Sequence, residues 1–393
     1  VITTVFGTAA PGFESVRSAF ESAFDGKPDM GAALSIRHRG RTVVDLWGGV
    51  ADERTGEAWT GDTPSVIFSC TKGLSAILAA RLVQEGRLDY QAAVTDYWPE
   101  FGAAGKEAVR VKDLLAHRSG LSAPREILTT ADVVDWSTVT SYLAAQAPLW
   151  EPDSGWAYHA ITHGWLIGEV VRRITGLTVG EYFEQSVAGP LDADAWIGLP
   201  AALSISVAHM QVGSTLAELV LNQAEARRPG RVDWSERAMT LGEAFPAALV
   251  GDAVGFNDPR VQEAEIPGAG GISSARALAK IWSATVHETE GVRLLDDPTL
   301  REATQVQSEG PPVLDVPGPW PRWGMGFQLD SEARRYLTPS GFGHDGAGGQ
   351  VAFADPALGV GFAFLTNLME GIDDFRGTAI IDALRAVLRP GSD

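Results

Sequence analysis

Apolar residues recur along this chain with two periods, and the periods occupy different stretches. Phe13, Val16, Phe20 and Phe24 are spaced by three and four, which predicts a helix over residues 13–24. Ala33-Leu34-Ser35-Ile36 and Thr42-Val43-Val44-Asp45-Leu46-Trp47 read as a hairpin turned near Arg39-Gly40. Val66-Ile67-Phe68 is a short strand-like run, after which Leu74, Ile77, Leu78, Arg81 and Leu82 take helical spacing. From about Leu88 to Pro267 the pattern is helices and long loops. A short helix ends over Asp113–His117 with Gly120 as its expected cap, and longer ones are predicted over Ala160–Thr175, Leu203–Arg227 and Trp234–Ala247. Ser273 or Ser274 caps a helix running to Val286. Strands return at Trp323–Leu329, Gln350–Ala354 and Val360–Thr366, the last two joined by an Asp355–Gly359 turn, and Phe375–Leu388 forms a last helix.

Strands therefore gather at both ends and helices in the middle. The economical architecture is one sheet domain built from residues 1–88 and 268–393, with a mostly helical domain, 89–267, inserted between them. The helix after Phe68 lies where the two meet, a place where pockets form. At 393 residues with 45% apolar content the chain supports a sizeable core. A net charge of -19 argues against nucleic acid or an anionic membrane surface as partner. The single cysteine, Cys70, excludes an internal disulfide. No run approaches a membrane span, and the first residues lack a basic-then-apolar leader pattern, so a cytoplasmic location is expected.

Candidate chemistry concentrates at Ser69-Cys70-Thr71-Lys72. The serine falls where the strand-like run becomes a helix, and the lysine follows one turn later on the same face. Lysine is scarce here, five against twenty-six arginines, and Lys72 is read as the one held among apolar and small residues. An ammonium held there is desolvated, its pKa falls, and it becomes able to take a proton from a neighbouring hydroxyl. The competing reading is a serine cap followed by a lysine reaching for solvent. An S-x-x-K occurs by chance about once in a chain of this size. Here it occurs once, at a strand-to-helix junction.

Other signals in the chain compete with it. There is no G-x-S-x-G, so the nucleophile elbow of the α/β-hydrolases is absent. Gly341-Phe342-Gly343-His344-Asp345-Gly346 matches G-x-G-x-x-G but runs on into a strand rather than a helix, against a dinucleotide site. His159 and His163 are four apart without the glutamate of zinc proteases, so ordinary pocket and helix positions are the better reading. Seven histidines allow a Ser/His/Asp triad that no motif supports. Three further stretches carry weight. Tyr158 follows the turn-rich Trp150–Gly155 and precedes a firm helix, which suits a phenol pointing into a cleft or an ordinary buried tyrosine. Five glycines within Gly341–Gly349, around His344, let backbone approach a ligand. Leu114–Leu121 is assigned a structural role, holding the helical region near the pocket.

Taken together, these residues resemble the serine β-lactamase and penicillin-binding-protein superfamily, and more closely its esterase branch, the family VIII carboxylesterases, similar to class C β-lactamases. Ser69-Cys70-Thr71-Lys72 matches the first motif, Tyr158 the tyrosine of Y-x-N, and His344-Asp345-Gly346 stands where K-T-G is expected. The resemblance implies an α/β (α+β) fold with an antiparallel sheet flanked by helices, plus the helical domain. It implies a serine carboxylesterase acting on short-chain acyl esters: Ser69 attacks the carbonyl, Lys72 and Tyr158 share the proton transfers, and the Ser69 and Ala347 N–H groups form the oxyanion hole. His344, Gly346, Trp156 and Trp323 are the expected substrate contacts, with Trp320 a further candidate wall. No metal or organic cofactor is needed, and the partner is a small-molecule ester; monomer and homodimer both stay open. Two departures matter. Ala160 replaces the asparagine of Y-x-N, and His344 replaces the lysine of K-T-G, which removes an amide and a charge suited to a β-lactam. Alternatives are an amide hydrolase or transacylase, a weak β-lactamase, and a non-enzymatic penicillin-binding sensor that acylates once.

Overall fold

A computed structural model describes residues 3–203, 206–371 and 373–389. Its centre is an antiparallel sheet whose strands are β1 (Val5–Ala9), β2 (Gly31–His38), β3 (Arg41–Asp52), β4 (Arg322–Trp323), β5 (Gln328–Leu329), β6 (Phe342–Gly346), β7 (Gln350–Asp355) and β8 (Val360–Thr366). Their order is β1-β3-β2-β8-β7-β6-β5-β4, with Glu57–Ala58 added beside β3. The pairing of β2 with β8, Ala32 opposite Thr366 and His38 opposite Val360, joins the early strands to the late ones at the middle of the sheet.

The sequence of β7 and β8 explains how helices cover both faces. Val351, Phe353, Val360, Phe362 and Phe364 point to one side and pack with α1 (Glu14–Ser22) and with Ile380, Ile381 and Leu384 of a last helix, Arg376–Val387. Ala352, Ala354 and Ala363 point to the other. The period-2 alternation thus separates large from small side chains. The small face admits a helix at backbone distance: a Cβ placed on Gly361 would lie 2.3 Å from Ser283 N, in the helix Ala275–Val286 capped by Ser274. The helix α2 (Cys70–Gln84) lies on this same side and is buried on nearly every face, twelve of its fifteen residues being core. Such a helix shows no amphipathic stripe because it has no solvent side.

Several expected boundaries shift, each for a local reason. The helix expected over Leu203–Arg227 is Ser214–Glu225. Residues 204 and 205 lie outside the described residues, and 208–211 run extended because their N–H groups go to distant acceptors, Ala208 to Pro64 O, His209 to Ala51 O and Gln211 to Asn367 O. The next helix is Trp234–Thr240 and stops before Ala247 because Leu241 turns left-handed at φ +54°. Trp323–Leu329 is a tight hairpin of β4 and β5, reversed at Gly326 with φ +86°. The short helix is Val111–Leu115, and its chain is turned by His117 at φ +62° rather than by Gly120. The glycine-rich stretch from Gly341 is itself largely strand β6. A β-strand at Val5–Ala9 and a helix at Trp136–Ala145 were not anticipated. No described helix is long and apolar enough to cross a membrane.

Candidate active site

Ser69 stands at the N-terminus of α2, held by a strained approach. Phe68 has a left-handed backbone at φ +44°, a conformation costing an aromatic residue roughly 1–3 kcal/mol. Packing imposes it: the Phe68 ring is buried edge-on against Phe256, centroids 5.3 Å apart. Its carbonyl accepts from the Thr71 hydroxyl at 2.6 Å, while Ile67 N–H donates to Gly271 O at 2.9 Å. The turn that presents the serine is therefore fixed on both sides.

Lys72 is fully buried. Its Nζ lies 2.9 Å from Ser69 Oγ, donates to Gly268 O at 2.8 Å, and donates also to Ala160 O. Burial pushes its pKa well below the ordinary lysine value. Gly268 reaches this position because the helix α3 (Thr162–Thr175) presents Gly164 to its loop; a Cβ at Gly164 would meet Gly268 N at 1.9 Å. Tyr158 O–H donates to Ser69 Oγ at 2.7 Å, and its ring faces the Lys72 nitrogen at 4.8 Å. Burial raises the Tyr158 pKa beyond that of a free phenol, so the group stays protonated.

A histidine stack supports Tyr158 from behind. His117 Nδ1 accepts the His159 backbone N–H at 3.0 Å, and Ala157 N–H donates to His117 O at 3.1 Å. Both bonds grip the residues flanking Tyr158, so Leu114–Leu121 does position this segment. His159 is tied in turn to Ser119 Oγ at 2.9 Å and Ala157 O at 2.6 Å. Desolvation holds His117 and His163 far below the usual imidazole range and His159 at about 4, so the stack is neutral. Neither His159 nor His163 belongs to a metal-ligand cluster; among the described residues that grouping is Asp52, Glu53 and His209.

The third wall comes from β6. A Cβ on Gly346 would lie 2.7 Å from Ile67 O and 3.1 Å from Cys70 Sγ, so only glycine lets this strand pass the Ser69 turn. Cys70 Sγ donates to His344 O at 3.3 Å, and burial drives its thiol pKa upward, which makes it a packing group. His344 is buried, its Nδ1–H donates to Asp345 O at 2.6 Å, and desolvation lowers its pKa to about 3. Ser69, Tyr158, Ala160, His344, Gly346 and Ala347 line one cleft of about 440 Å³ with Trp156, Trp320 and Trp323. Trp323 stacks on Tyr158, planes 7° apart and centroids 5.4 Å apart.

Two parts of this cleft escaped sequence reasoning. One is the strap from Pro312 to Pro321 that lines it, of which Trp320 alone was expected; five prolines within residues 311–321 were the available signal of a stiff wall. The other is Ala238 and Met239 on the helix Trp234–Thr240. Sequence reasoning also took Lys72 as the one desolvated lysine, whereas Lys106 is likewise closed off from solvent.

The beta-lactamase family profile matches residues 20–386. The chain belongs to the beta-lactamase family. It is 35% identical over 370 residues to "Esterase/beta-lactamase LipL" of Mycobacterium tuberculosis, covering 92% of this chain and 83% of the relative. A crystal structure of a family VIII carboxylesterase superposes with a TM-score of 0.86 at 35% identity, covering 98% of this chain and 100% of the other. EstA from Arthrobacter nitroguajacolicus Rue61a gives 0.84 at 31% identity, covering 97% and 98%. Within its superfamily the chain is an esterase-type hydrolase.

Proposed function

We propose that this protein is a serine carboxylesterase that cleaves neutral, short-chain acyl esters through an acyl-enzyme on Ser69. The observation carrying this reading is the hydrogen-bond inventory of Lys72. A neutral amine has two N–H groups and one lone pair. Two carbonyls, Ala160 O and Gly268 O, accept N–H groups from Nζ, and the third partner is the Ser69 hydroxyl. A hydroxyl can donate, so the lone pair is free to receive its proton. Burial favours this neutral form.

Ser69 Oγ attacks the ester carbonyl as its proton passes to Lys72, and the new ammonium is stabilised by the two carbonyls. The developing oxyanion is assigned to the N–H groups of Ser69 and Ala347, which share the cleft. Lys72 returns the proton to the leaving alkoxide, and the alcohol departs. Water then gives a proton to Lys72 and attacks the acyl carbonyl; collapse returns that proton to Ser69 Oγ and releases the acid. Tyr158, a neutral phenol, donates to Ser69 Oγ and fixes its direction throughout. These steps need no metal or organic cofactor. We also propose the division into a sheet domain, 1–88 with 268–393, and a helical domain, 89–267, whose junction carries the cleft.

Substrate choice follows from charge. The lysine that would meet a β-lactam carboxylate is His344, neutral at working pH because its pKa is near 3. The amide of Y-x-N is a methyl group, Ala160. Both losses weaken transition-state binding of a β-lactam more than that of a neutral ester. The test is kcat/KM for p-nitrophenyl butyrate against nitrocefin on one preparation, with intact-mass detection of the acyl-enzyme. A ratio well above ten is expected, and His344→Lys should raise nitrocefin turnover. A ratio near unity overturns the substrate assignment. One equivalent of product followed by arrest would make the protein an acylation sensor instead.

A further inference from the structure

Apart from the groups already described, the cleft presents three polar side chains, Ser235, Gln328 and Asp345. Asp345 is engaged elsewhere, its carboxylate receiving Arg334 Nε–H at 3.0 and 2.9 Å. Ser235 lies on the helix Trp234–Thr240, only partly buried. Gln328 differs from both. It is 6% exposed, and its backbone is clamped on two sides, opposite Trp323 of β4 and Gly343 of β6.

Its orientation is fixed by chemistry. The Asp345 backbone N–H donates to Gln328 Oε1 at 2.9 Å. A backbone N–H can only donate, so the carboxamide oxygen must face it and the Nε2 end must face away. That amide nitrogen has no hydrogen-bond partner among the described residues, yet it is not one of the enclosed unpartnered atoms. Gln328 is otherwise buried and lines this cleft, so its accessible donor faces the cleft. It is also the single carboxamide side chain in the lining, where Ala160 offers a methyl.

We propose that Gln328 is a specificity-determining residue whose Nε2 donates a hydrogen bond to a second, neutral oxygen of the substrate, a carbonyl or ether oxygen outside the scissile ester. This rests on the carboxylesterase reading above. The acceptor is neutral because the cleft supplies no counter-charge for an anion: its lining holds no lysine or arginine, and His344 is uncharged. A site with a fixed donor discriminates against an analogue that leaves the donor unpaired. The substrates best matched are therefore keto esters, diesters or amido esters rather than plain alkyl esters.

The experiment uses isosteric pairs: p-nitrophenyl 4-oxopentanoate beside 4-methylpentanoate, and 5-oxohexanoate beside 5-methylhexanoate. The readout is the oxo-to-methyl ratio of kcat/KM. Gln328→Glu keeps an acceptor for Asp345 N–H and deletes the donor; Gln328→Met deletes both. For at least one chain length the ratio should fall about 3- to 10-fold in each variant. If Gln328 merely braces β6, Gln328→Glu will keep the wild-type ratio, and that result overturns the proposal whether or not Gln328→Met folds. Failure of the wild-type protein to turn over p-nitrophenyl butyrate is a separate outcome; it removes the esterase reading and this inference with it.

Discussion

Lys72 and Lys106 are both closed off from solvent, Lys72 the more deeply desolvated of the two, and they differ also in what surrounds the amine. Both are inaccessible to solvent, and each nitrogen has three oxygen partners. For Lys106 these are Ala103 O at 2.7 Å, Ala144 O at 2.9 Å and Gln146 O. All three are carbonyls, which only accept, so they call for three N–H groups and hence an ammonium. Two of them end the helix Trp136–Ala145, where a positive charge is welcome. Burial lowers the Lys106 pKa to about 8, which leaves it charged at neutral pH. For Lys72 the third partner is a hydroxyl. In our reading that one exchange, carbonyl for hydroxyl, separates a helix anchor from a general base. Desolvation creates the tendency to lose a proton; the third partner decides whether the neutral form is useful.

The comparison breaks most sharply at Ser69. Ser69→Ala removes the third partner and the nucleophile, and should lower p-nitrophenyl butyrate turnover by about 10⁴-fold or more with an unchanged circular dichroism spectrum. A folded variant with near wild-type turnover ends the mechanism. Next is Lys72→Arg, expected to be as damaging as Lys72→Ala, roughly 10³-fold, because arginine keeps its charge and cannot release its proton. Should Lys72→Arg retain most activity, the lysine is an electrostatic support and Tyr158 becomes the base.

The pH profile sharpens the same point. If Lys72 acts as the proposed base it acts when deprotonated, so kcat/KM should fall about tenfold per unit below its lowered pKa, with one acid limb. His344 and His159 titrate at about 3 and 4, so His344→Ala should leave that limb in place. The Tyr158 pKa is raised, so no alkaline fall is expected up to pH 10. The smallest effect on activity belongs to Lys106→Met. It strands three carbonyl acceptors and should cost roughly 1–3 kcal/mol in urea unfolding, with ester kcat/KM kept within about twofold. Loss of activity in a stable Lys106→Met protein would mean that the two lysines are not separable.

The parts of this site legible in the sequence are those encoded by side chains close together. Ser69 and Lys72 are three apart on one helix, and that spacing alone brings their polar ends within reach. The two apolar runs on either side of the Asp355–Gly359 turn were expected as strands and are β7 and β8. Tyr158 became interpretable only through its match to a family motif, since nothing local separates it from any buried tyrosine. The atoms that favour a neutral Lys72 are main-chain carbonyls of Ala160 and Gly268, and a carbonyl has no residue signature. Lys106 was misread for the converse reason: the adjacent Glu107 suggested polar company, whereas the amine is held by the end of a helix forty residues on. The helix expected from Leu203 failed because residues 208–211 are held extended by acceptors at Pro64, Ala51 and Asn367, which no window of sequence contains.

The central pairing of β2 with β8 also sets a schedule for synthesis. Strand β2 is finished at residue 38, but its neighbour begins at residue 360. At ribosomal speeds the wait is on the order of tens of seconds. During that time the early hairpin shows an apolar, unpaired edge, Ala32-Ala33-Leu34-Ser35-Ile36, a template for pairing with another chain. Helix α2 with Ser69 emerges early as well, yet it lacks Gly268 and the β6 wall until much later. Hydrolytic competence should thus appear as one late event in the life of each nascent molecule, and producing cells would need either chaperone cover for that edge or slow, cool expression to obtain active enzyme.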